Sequence, residues 1–438
     1  MSRAHPMILP LTDDGLGADA MAVFGARQAV DRPVILGPAR LVLWVARAVG
    51  PAVVVVPGPG IEPGALAPLR RRGARVIHLD VGGGPYRDDP RRWGRRLQSS
   101  AVATSLTAGD HLGTWGRWQR RELARARPDR GDRIVATGHP RFELFTRPWR
   151  RVYEDQVRRL KQRLGNLVVI CPDLLGANQE PPPSLGGVWT TSSEQPRWPE
   201  VVAWSRQNQR LSDLARLIHE LRRQRPDVHL VLSPDPDEDE QLYQLLLQGL
   251  DGVQMISRQH LAPFVVAARV VIHGGGEVAT WAHLAEVDAL FFRPPPDQDQ
   301  RCRIARCFGG ICGDHQEAIE RIGGALDGEG LRALQDPPLI DAQAGDLLSN
   351  LHEPGFEALD DVVQKLGEEL DEPRQRLELA RRLLAGVGSA IPRWPGGAAM
   401  QQRLDQILPS VQVLLGASIP HQRLGPVAIL GPGTDHSP

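Results

Sequence analysis

The sequence is organised around residues 270–292, which read VVIHGGGEVATWAHLAEVDALFF. The apolar run Val270–Ile272 predicts a buried strand, Gly274–Gly276 a turn, and the residues from about Val278 to Glu286 a helix. A second apolar run, Asp288–Phe292, predicts the next strand. Three glycines between strand and helix let the backbone approach another group closely and leave N–H groups that suit phosphate or carboxylate. A tight turn without a ligand needs glycine as well, so the pattern alone leaves both interpretations open.

Composition indicates a globular protein of two domains with no bias toward nucleic acid. The chain has 438 residues, 41% hydrophobic and 24% charged, and its 52 basic residues balance its 52 acidic ones. A net charge of zero supplies no global field to attract nucleic acid or an anionic membrane. No apolar run reaches the roughly 18–20 residues of a membrane span. The short run Met7–Leu11 is not a secretory signal, so we expect a cytoplasmic protein.

The cysteines give no evidence of a metal site. Four cysteines favour a reducing compartment. Cys302, Cys307 and Cys312 are spaced by five, which is not a usual zinc-ligand spacing, so buried or free thiols are the better interpretation. We expect no metal and no cofactor.

The first third of the chain alternates apolar strands with helices, which predicts a doubly wound parallel sheet. Ala52–Val56 is a continuous β-branched run, as expected of a strand buried on both faces. Asp80 and the glycines Gly82 and Gly83 follow the predicted strand Arg75–Leu79, at the edge where open sheets bind ligands. These residues are either a wall of a binding cleft or a plain loop. Asp110–Arg127 is predicted as a helix.

A second strand–helix series begins at Leu167–Cys171 and includes the helix Gln209–Arg223, whose leucines and isoleucine recur every three or four residues. After about residue 313 the pattern becomes helical. The domains expected are 1–137 as an N-terminal α/β domain, 138–165 as hinge and linker helix, 166–320 as a C-terminal α/β domain, 321–425 as a helical region, and 426–438 as a disordered tail.

Residues 137–144, Thr-Gly-His-Pro-Arg-Phe-Glu-Leu, carry a family resemblance. The segment is similar to the Thr-Gly-Asn-Pro-Arg-Phe-Asp-Leu of bacterial surface carbohydrate biosynthesis proteins, which are GT-B-type and glycosyltransferase-like. With the glycine turn at 274–276, the resemblance covers roughly residues 7–300. It implies a GT-B-like fold: two Rossmann-like α/β domains facing across a cleft, with C-terminal helices packed back on them.

Three positions depart from that family. Its Asp-Glu-Glu-Gly is here Asp80-Val81-Gly82-Gly83, which keeps one carboxylate of three. Its Arg-Pro-His-Pro is here Ser233-Pro234-Asp235-Pro236, which places an acid where a histidine would contact the donor phosphate. Trp281 stands where a glutamate would bind ribose hydroxyls.

The resemblance implies a nucleotide-sugar donor bound on the C-terminal domain and a carbohydrate acceptor on the N-terminal one. No nucleic acid and no transmembrane segment are expected, and peripheral membrane association stays open. His273 is the best remaining residue for a phosphate or proton contact, although it equally suits a strand end. Asp80 is the candidate acceptor-side base, and Glu277 equally suits the helix dipole. For Arg141 an anion clamp is less favoured than pairing with Glu143 across the hinge. The site residues expected are, for catalysis, Asp80 and His273; for the donor, Gly274, Gly275, Gly276, Glu277 and Asp235; and for the hinge and cleft, Gly138, His139, Arg141, Gly82 and Gly83.

Two functions fit these residues. The first is a glycosyltransferase of surface polysaccharide synthesis. The second is a catalytically degenerate relative that binds a nucleotide sugar or a pathway partner, which the lost carboxylates and histidine favour. A sugar-nucleotide epimerase is weaker, because it needs the same lost groups.

Overall fold

The computed structural model of the protein describes most of the chain as two compact units. Unit 1 contains the described residues up to Tyr153 and those from Gly345 onward, and unit 2 contains Glu154–Ala344. The described residues are 5–11, 15–57, 61, 63–80, 106–107, 109–174, 198–236, 238–293, 307–331, 344–370, 397–416, 419, 421–424 and 427–430.

The strands of the described chain form two sheets. They are β1 Met7–Leu11, β2 Val34–Pro38, β3 Val53–Pro57, β4 Arg75–Leu79, β5 Asp110–Thr114, β6 Ile134–Ala136, β7 Asn166–Cys171, β8 Val228–Leu232, β9 Val253–Met255, β10 Val270–His273, β11 Asp288–Phe292, β12 Gly310–Cys312, β13 His421–Leu424 and β14 Val427–Leu430.

Helices connect most of these strands. They are α1 Gly15–Gln28, α2 Ala39–Val49, α3 Pro63–Arg70, α4 Arg117–Ala126, α5 Pro140–Glu143, α6 Glu154–Leu164, α7 Trp198–Gln224, α8 Glu240–Leu246, α9 Leu261–Ala267, α10 Val278–Leu284, α11 His315–Asp327, α12 Gly355–Glu368 and α13 Gly397–Leu415. Short 3-10 turns lie at Pro128–Arg133, Trp149–Tyr153, Arg258–His260 and Ser349–Leu351.

The sheet of unit 1 has, within the described residues, the strand order β13-β14-β2-β1-β3-β4-β5-β6. Strands β1 to β6 pair in parallel. The run of valines in β3, Val53–Val56, is fully buried, because helices cover both faces of a parallel sheet. The strand order reverses direction between β1 and β3, the kind of position where open α/β sheets bind ligands.

Residues 110–114 correct the helix predicted over Asp110–Arg127. They form β5, between β4 and β6, and the helix begins only at Arg117. All five residues of β5 are buried, and Arg70 of α3 binds the Asp110 carboxylate at 3.0 and 2.6 Å. A tertiary ion pair therefore holds a segment whose sequence has little strand character of its own.

The described C-terminal elements differ from the expected helical region 321–425, which includes strand β13, and from the expected disordered tail 426–438 at residues 427–430; residues 431–438 lie outside the described residues. Helix α11 belongs to unit 2, whereas α12 and α13 belong to unit 1. Strand β14, placed in the tail by the sequence analysis, is buried and pairs antiparallel with β2. Its apolar run Val427–Leu430 completes an edge of the sheet that β2 would otherwise expose.

Unit 2 has the strand order β12-β11-β10-β7-β8-β9, all parallel, within the described residues. The strand order reverses between β7 and β10. Helices α7 and α11 pack on one face, and the stripe Leu211, Leu214, Ile218 and Leu221 is buried there as predicted. The prediction of two separate parallel, Rossmann-like sheets is confirmed. The chain leaves unit 1 after Tyr153, which lies within the segment 138–165 expected as hinge and linker helix.

Candidate functional site

The carboxyl ends of β7 and β10 lie side by side at the reversal of strand order in unit 2. His273, the last residue of β10, stands opposite Cys171, the last residue of β7. Ligands of open α/β sheets bind at this kind of position, because the connections after the two strands lead away in opposite directions and leave a crevice. The glycine turn 274–276 follows β10 directly, so the structure places the central sequence stretch at this crevice.

The glycine turn packs against the chain that follows β7. A Cβ on Gly274 would lie 1.8 Å from the Pro172 carbonyl oxygen, and one on Gly276 would lie 3.1 Å from the Asp173 carboxylate. Gly275 has a φ of +125°, and Asp173 itself has a φ of +54°. Each glycine therefore has a steric or conformational reason that involves no ligand, which is the second of the two interpretations left open by the sequence.

His273 is buried, with 1% of its surface exposed, and its ring stacks on Phe291 at 5.2 Å and 7°. Among the described residues neither ring nitrogen has a hydrogen-bond partner of normal geometry. Burial lowers the pKa of His273 to about 4, which the nearby Phe308 backbone only partly offsets. The imidazole is therefore neutral at pH 7, so it suits a neutral hydrogen bond to a ligand better than proton donation.

Arg258 lies among the charged residues of this sheet edge, although the sequence analysis did not predict it as a site residue. It follows β9, lies 5.9 Å over the Trp281 ring, and donates to the Ser233 carbonyl at 3.3 Å. Burial works to lower the pKa of Arg258, but Cys171, Asp173, Glu277 and Asp235 together raise it. The carboxylates come from loops after β7, β8 and β10. Four neighbouring strand ends thus contribute one cation and three acids.

Asp235 and the loop that carries it are fixed from within unit 2. The buried Glu238 carboxylate accepts from the Asp235 backbone N–H at 3.1 Å, from the Tyr243 hydroxyl at 3.1 Å and from the Leu174 backbone N–H. Burial raises the pKa of Glu238. This carboxylate ties the segment after β7 to the segment after β8, so Asp235 sits on a braced loop.

A small pocket opens beside His273. It is lined by Arg210 of α7 and Arg293 at the end of β11, with apolar walls from Ile170, Leu214 and Phe292. Its volume is about 20 Å³, which is enough to hold one water molecule. The sequence analysis assigned neither arginine to the site. Cys171 also lines it, and burial raises the pKa of that thiol to about 11, so Cys171 is not a nucleophile at neutral pH.

In unit 1, Asp80 is buried at the end of β4. Its carboxylate accepts a hydrogen bond from Gln119, and its carbonyl accepts one from the Trp115 indole at 2.5 Å. The Gln119 side chain in turn accepts from the Trp115 backbone N–H at 2.7 Å. Asp80 is thus part of a packed network. Gly82 and Gly83 lie outside the described residues, so their expected place in the wall of a binding cleft stays a prediction.

The motif at 137–144 anchors the C-terminal segment to unit 1. The His139 backbone donates to the Asn350 side chain at 2.7 Å, and the buried Glu143 carboxylate accepts from Asn350 at 3.1 Å and from the Gly355 backbone at 2.7 Å. Gly138 has a φ of +69°, and a Cβ there would lie 2.5 Å from the Asn350 side chain. These contacts support a structural role for the motif.

The aromatic part of this motif packs around one tryptophan. His139 lies 5.7 Å and Phe142 5.0 Å from the Trp115 ring, both edge-on, and the Arg141 guanidinium lies 5.5 Å over it. Burial holds the pKa of His139 well below its ordinary value. The Arg141 guanidinium therefore lies against an aromatic cluster of unit 1, and its expected pairing with Glu143 across the hinge stays a prediction.

Within the part of the chain that the structure describes, no group of three His, Cys, Asp or Glu side chains is placed to hold a metal ion. Cys307 and Cys312 are buried and form no disulfide within the described residues, and Cys302 lies outside the described residues. No described helix is both long and apolar enough to cross a membrane.

Known proteins resemble this chain in structure rather than in sequence. No protein-family model matches it, and no curated protein matches it significantly. A candidate UDP-N-acetylglucosamine 2-epimerase from Listeria monocytogenes is similar, with a TM-score of 0.51 and 11% identity, over 84% of this chain and 98% of the other. The UDP-GlcNAc 2-epimerase of Methanocaldococcus jannaschii has a TM-score of 0.49 and 10% identity, over 82% and 99%. The wall teichoic acid polymerase TagF has a TM-score of 0.46 and 12% identity, over 73% and 72%.

The likeness to the Listeria protein identifies the fold class. It extends over 84% of this chain, whose described strands form two sheets, and over 98% of the other chain. The fold is therefore GT-B-like, with two Rossmann-like α/β units, as the sequence predicted. At 11% identity the likeness concerns the fold alone.

Proposed function

We propose that this protein binds a nucleotide sugar at the carboxyl edge of the unit 2 sheet and transfers its sugar in surface carbohydrate synthesis. The observation that carries the proposal is the convergence of the glycine turn, His273 and Arg258 at the reversal between β7 and β10. The name of the Listeria protein, a candidate UDP-N-acetylglucosamine epimerase, supports a ligand of this class. A carbohydrate acceptor, a cytoplasmic location and peripheral membrane association are further parts of the proposal.

The donor phosphates would lie at the turn 274–277. The Gly274 N–H already donates to the Cys171 carbonyl at 3.0 Å, so the N–H groups of Gly275 and Gly276 and neutral His273 would be the hydrogen-bond donors. Asp173, Asp235 and Glu277 surround the same edge and oppose a phosphate, while Arg258 offsets only part of their charge. Binding is therefore expected to be weak compared with relatives that carry a histidine at the Asp235 position.

A non-catalytic binding protein is the second candidate, and the surroundings of Asp80 favour it. A general base must reach the acceptor hydroxyl with a free carboxylate oxygen. The Asp80 carboxylate is buried and engaged by Gln119. In this alternative the protein binds the nucleotide sugar, or a partner of the same pathway, without transferring the sugar.

Isothermal titration of the full chain with nucleotides and nucleotide sugars tests the shared part of both candidates. We expect at least one nucleotide sugar to bind more tightly than its free sugar. The nucleotide sugar that binds is then incubated with the protein and carbohydrate acceptors. A transferase releases free nucleotide under these conditions, whereas a binding protein does not. Absence of binding across UDP-, GDP-, CDP- and dTDP-sugars would overturn the proposal.

A further inference from the structure

The outer side of α2 carries an exposed tryptophan between two arginines. Arg40, Trp44 and Arg47 are spaced four and three positions apart, which places them on one face of the helix, and all three are exposed. Trp115 and Trp281 are buried, whereas Trp44 has 40% of its surface exposed. Arg40 lies in the first turn of α2, where the helix dipole disfavours a cation. Helix stability therefore does not account for this arginine.

The end of α3 adds two more exposed arginines on the same face of unit 1. Helices α2 and α3 bury their leucines and valines in one hydrophobic cluster with the strands, so both cover the same face of the sheet. Their C-terminal ends lie side by side, since a Cβ on Gly73 would lie 3.7 Å from the Pro51 ring. Arg71 and Arg72 directly precede Gly73 and are exposed, so they lie at the same end as Arg47.

We name these five residues the α2–α3 patch: Arg40, Trp44, Arg47, Arg71 and Arg72. Within the described residues, no arginine of the patch makes an ion pair or a side-chain hydrogen bond. The surrounding sequence is also poor in acids, because between Asp31 and Asp80 a single acidic residue, Glu62, stands against seven arginines. The whole chain has no net charge, so this segment concentrates positive charge on one surface of unit 1.

We propose that the α2–α3 patch binds the surface of an anionic lipid membrane. Arginines attract acidic headgroups, and the tryptophan ring favours the boundary between headgroups and acyl chains. A second copy of the chain bound through the same patch would place like charges against each other. The inference goes beyond the proposed function, because it assigns a surface to membrane association and uses no residue of the nucleotide-sugar site.

The test measures sedimentation of the full chain with two kinds of vesicle, phosphatidylcholine alone and phosphatidylcholine with about 30% phosphatidylglycerol. We expect binding to the anionic vesicles only, and loss of that binding when the salt concentration rises from about 0.1 M to about 0.5 M. The double variants Arg40→Gln/Arg47→Gln and Arg71→Gln/Arg72→Gln each remove two charges and should weaken binding about tenfold or more. Trp44→Ser should weaken it about threefold or more.

Two matched double variants separate the effect of charge from other effects. Arg159→Gln/Arg163→Gln removes two exposed arginines of α6 in unit 2 and should bind vesicles as wild type does. Arg40→Lys/Arg47→Lys keeps the charge and should retain binding, because attraction to headgroups needs a cation and not a guanidinium fork. Since every substituted side chain is exposed, thermal unfolding of all variants should match wild type.

Equal binding to neutral and anionic vesicles would overturn the proposal, and so would equal binding by wild type and both glutamine double variants. Absence of vesicle binding by wild type would also overturn it. If polyglutamate then binds wild type but not the glutamine variants, the partner of the patch is an acidic polypeptide and not a membrane.

Isothermal titration of the same variants with the nucleotide sugar separates this inference from the proposed function. Their affinities should equal that of wild type, because the substituted residues lie in unit 1 and the proposed sugar-nucleotide site lies in unit 2. Nucleotide-sugar binding without vesicle binding would overturn the membrane surface alone. Arginine-dependent vesicle binding without any nucleotide-sugar binding would overturn the proposed function alone.

Discussion

Asp235 is the residue of this edge that most clearly disfavours phosphate binding, because it stands where a histidine is expected to contact the donor phosphate. It follows β8 on a loop braced by Glu238, and its charge acts on Arg258 beside the glycine turn. The Asp235 carboxylate thus repels a ligand phosphate. It also offsets part of the positive charge of Arg258, which would otherwise attract that phosphate. Asp235 is one of three carboxylates around Arg258, and the buried Glu238 carboxylate fixes the loop that holds it.

Replacing Asp235 with histidine should strengthen nucleotide-sugar binding about tenfold, which corresponds to roughly 1.4 kcal/mol. The change removes one negative charge next to the expected phosphate position and releases Arg258 from one of its three carboxylates. Isothermal titration with the tightest nucleotide sugar from the wild-type panel measures the effect. Asp251→His, an exposed change in the same unit, serves as the control. Equal or weaker binding by Asp235→His would place the phosphate away from this edge.

At the scale of one element, β5 depends on a buried ion pair. Asp110 begins the strand and is 1% exposed, whereas Arg70 of α3 is 18% exposed. Burial by itself would raise the pKa of Asp110, but hydrogen bonds from His78, Arg70 and Thr107 lower it well below its ordinary value. The carboxylate is therefore more stable as an anion in the folded protein than in the unfolded chain.

This shift predicts an acid-dependent loss of stability. The unfolded-state pKa of Asp is about 3.9, so the contribution of Asp110 is complete above roughly pH 5 and is lost as the pH falls through the depressed folded-state value. Asp110→Asn should lower the free energy of unfolding by roughly 2 kcal/mol at pH 7, less than a fully buried pair because Arg70 keeps some hydration. The same variant should also show a smaller fall in the free energy of unfolding between pH 7 and pH 2 than wild type shows.

Urea unfolding of unit 1 followed from pH 7 to pH 2 checks both effects. Asp129→Asn, an exposed carboxylate in the 3-10 turn before β6, is the comparison and should follow wild type closely. A variant curve for Asp110→Asn that runs parallel to wild type at every pH would show that Asp110 is not the group whose protonation weakens β5.

At the scale of the whole molecule, the C-terminal segment is a structural part of unit 1. Arg403 of α13 binds the buried Asp19 of α1 at 2.5 and 3.0 Å, and Tyr153 donates to the same carboxylate at 3.1 Å. Asn350 and Gly355 bind Glu143, and β14 pairs with β2. Three separate contacts thus connect residues after 344 to the first 153.

Deleting residues 417–438 should destabilise unit 1 selectively. The deletion removes β14, whose four residues are buried against the sheet, and leaves β2 as an uncovered edge. Hydrogen exchange read by mass spectrometry should show faster exchange in β1 and β2 and unchanged exchange in β7, β8 and β10. An equal increase in both units would mean that the hairpin stabilises the whole chain and not the sheet that it extends.

The sequence predicted the two parallel sheets because their evidence is local. The valines of β3 and the leucine stripe of α7 are buried as their spacing indicated. The wrong predictions concern segments whose secondary structure depends on residues far away in the sequence. Asp110–Thr114 is a strand because Arg70 and two neighbouring strands hold it, and Val427–Leu430 is ordered because β2 lies beside it.

The candidate site shows the same division between local and distant evidence. The glycine turn and His273 stand out in the sequence, since strand, turn and helix follow one another directly. Arg258, Arg210 and Arg293 come from different elements, and single arginines after a strand or within a helix carry no distinctive pattern. The strand order of unit 2 is what brings them to one edge, and that order is not written in any one segment.

The pairing of β14 with β2 also has a consequence for how the protein is made. The described strands of unit 2, β7 to β12, all precede β14 along the chain, so a ribosome releases them before it releases this strand of unit 1. At about 5–20 residues per second, the first six strands wait on the order of tens of seconds for the partner that covers β2. During that interval the nascent chain presents an open sheet edge, and we expect a chaperone or unit 1's own helices to shield it until β14 emerges.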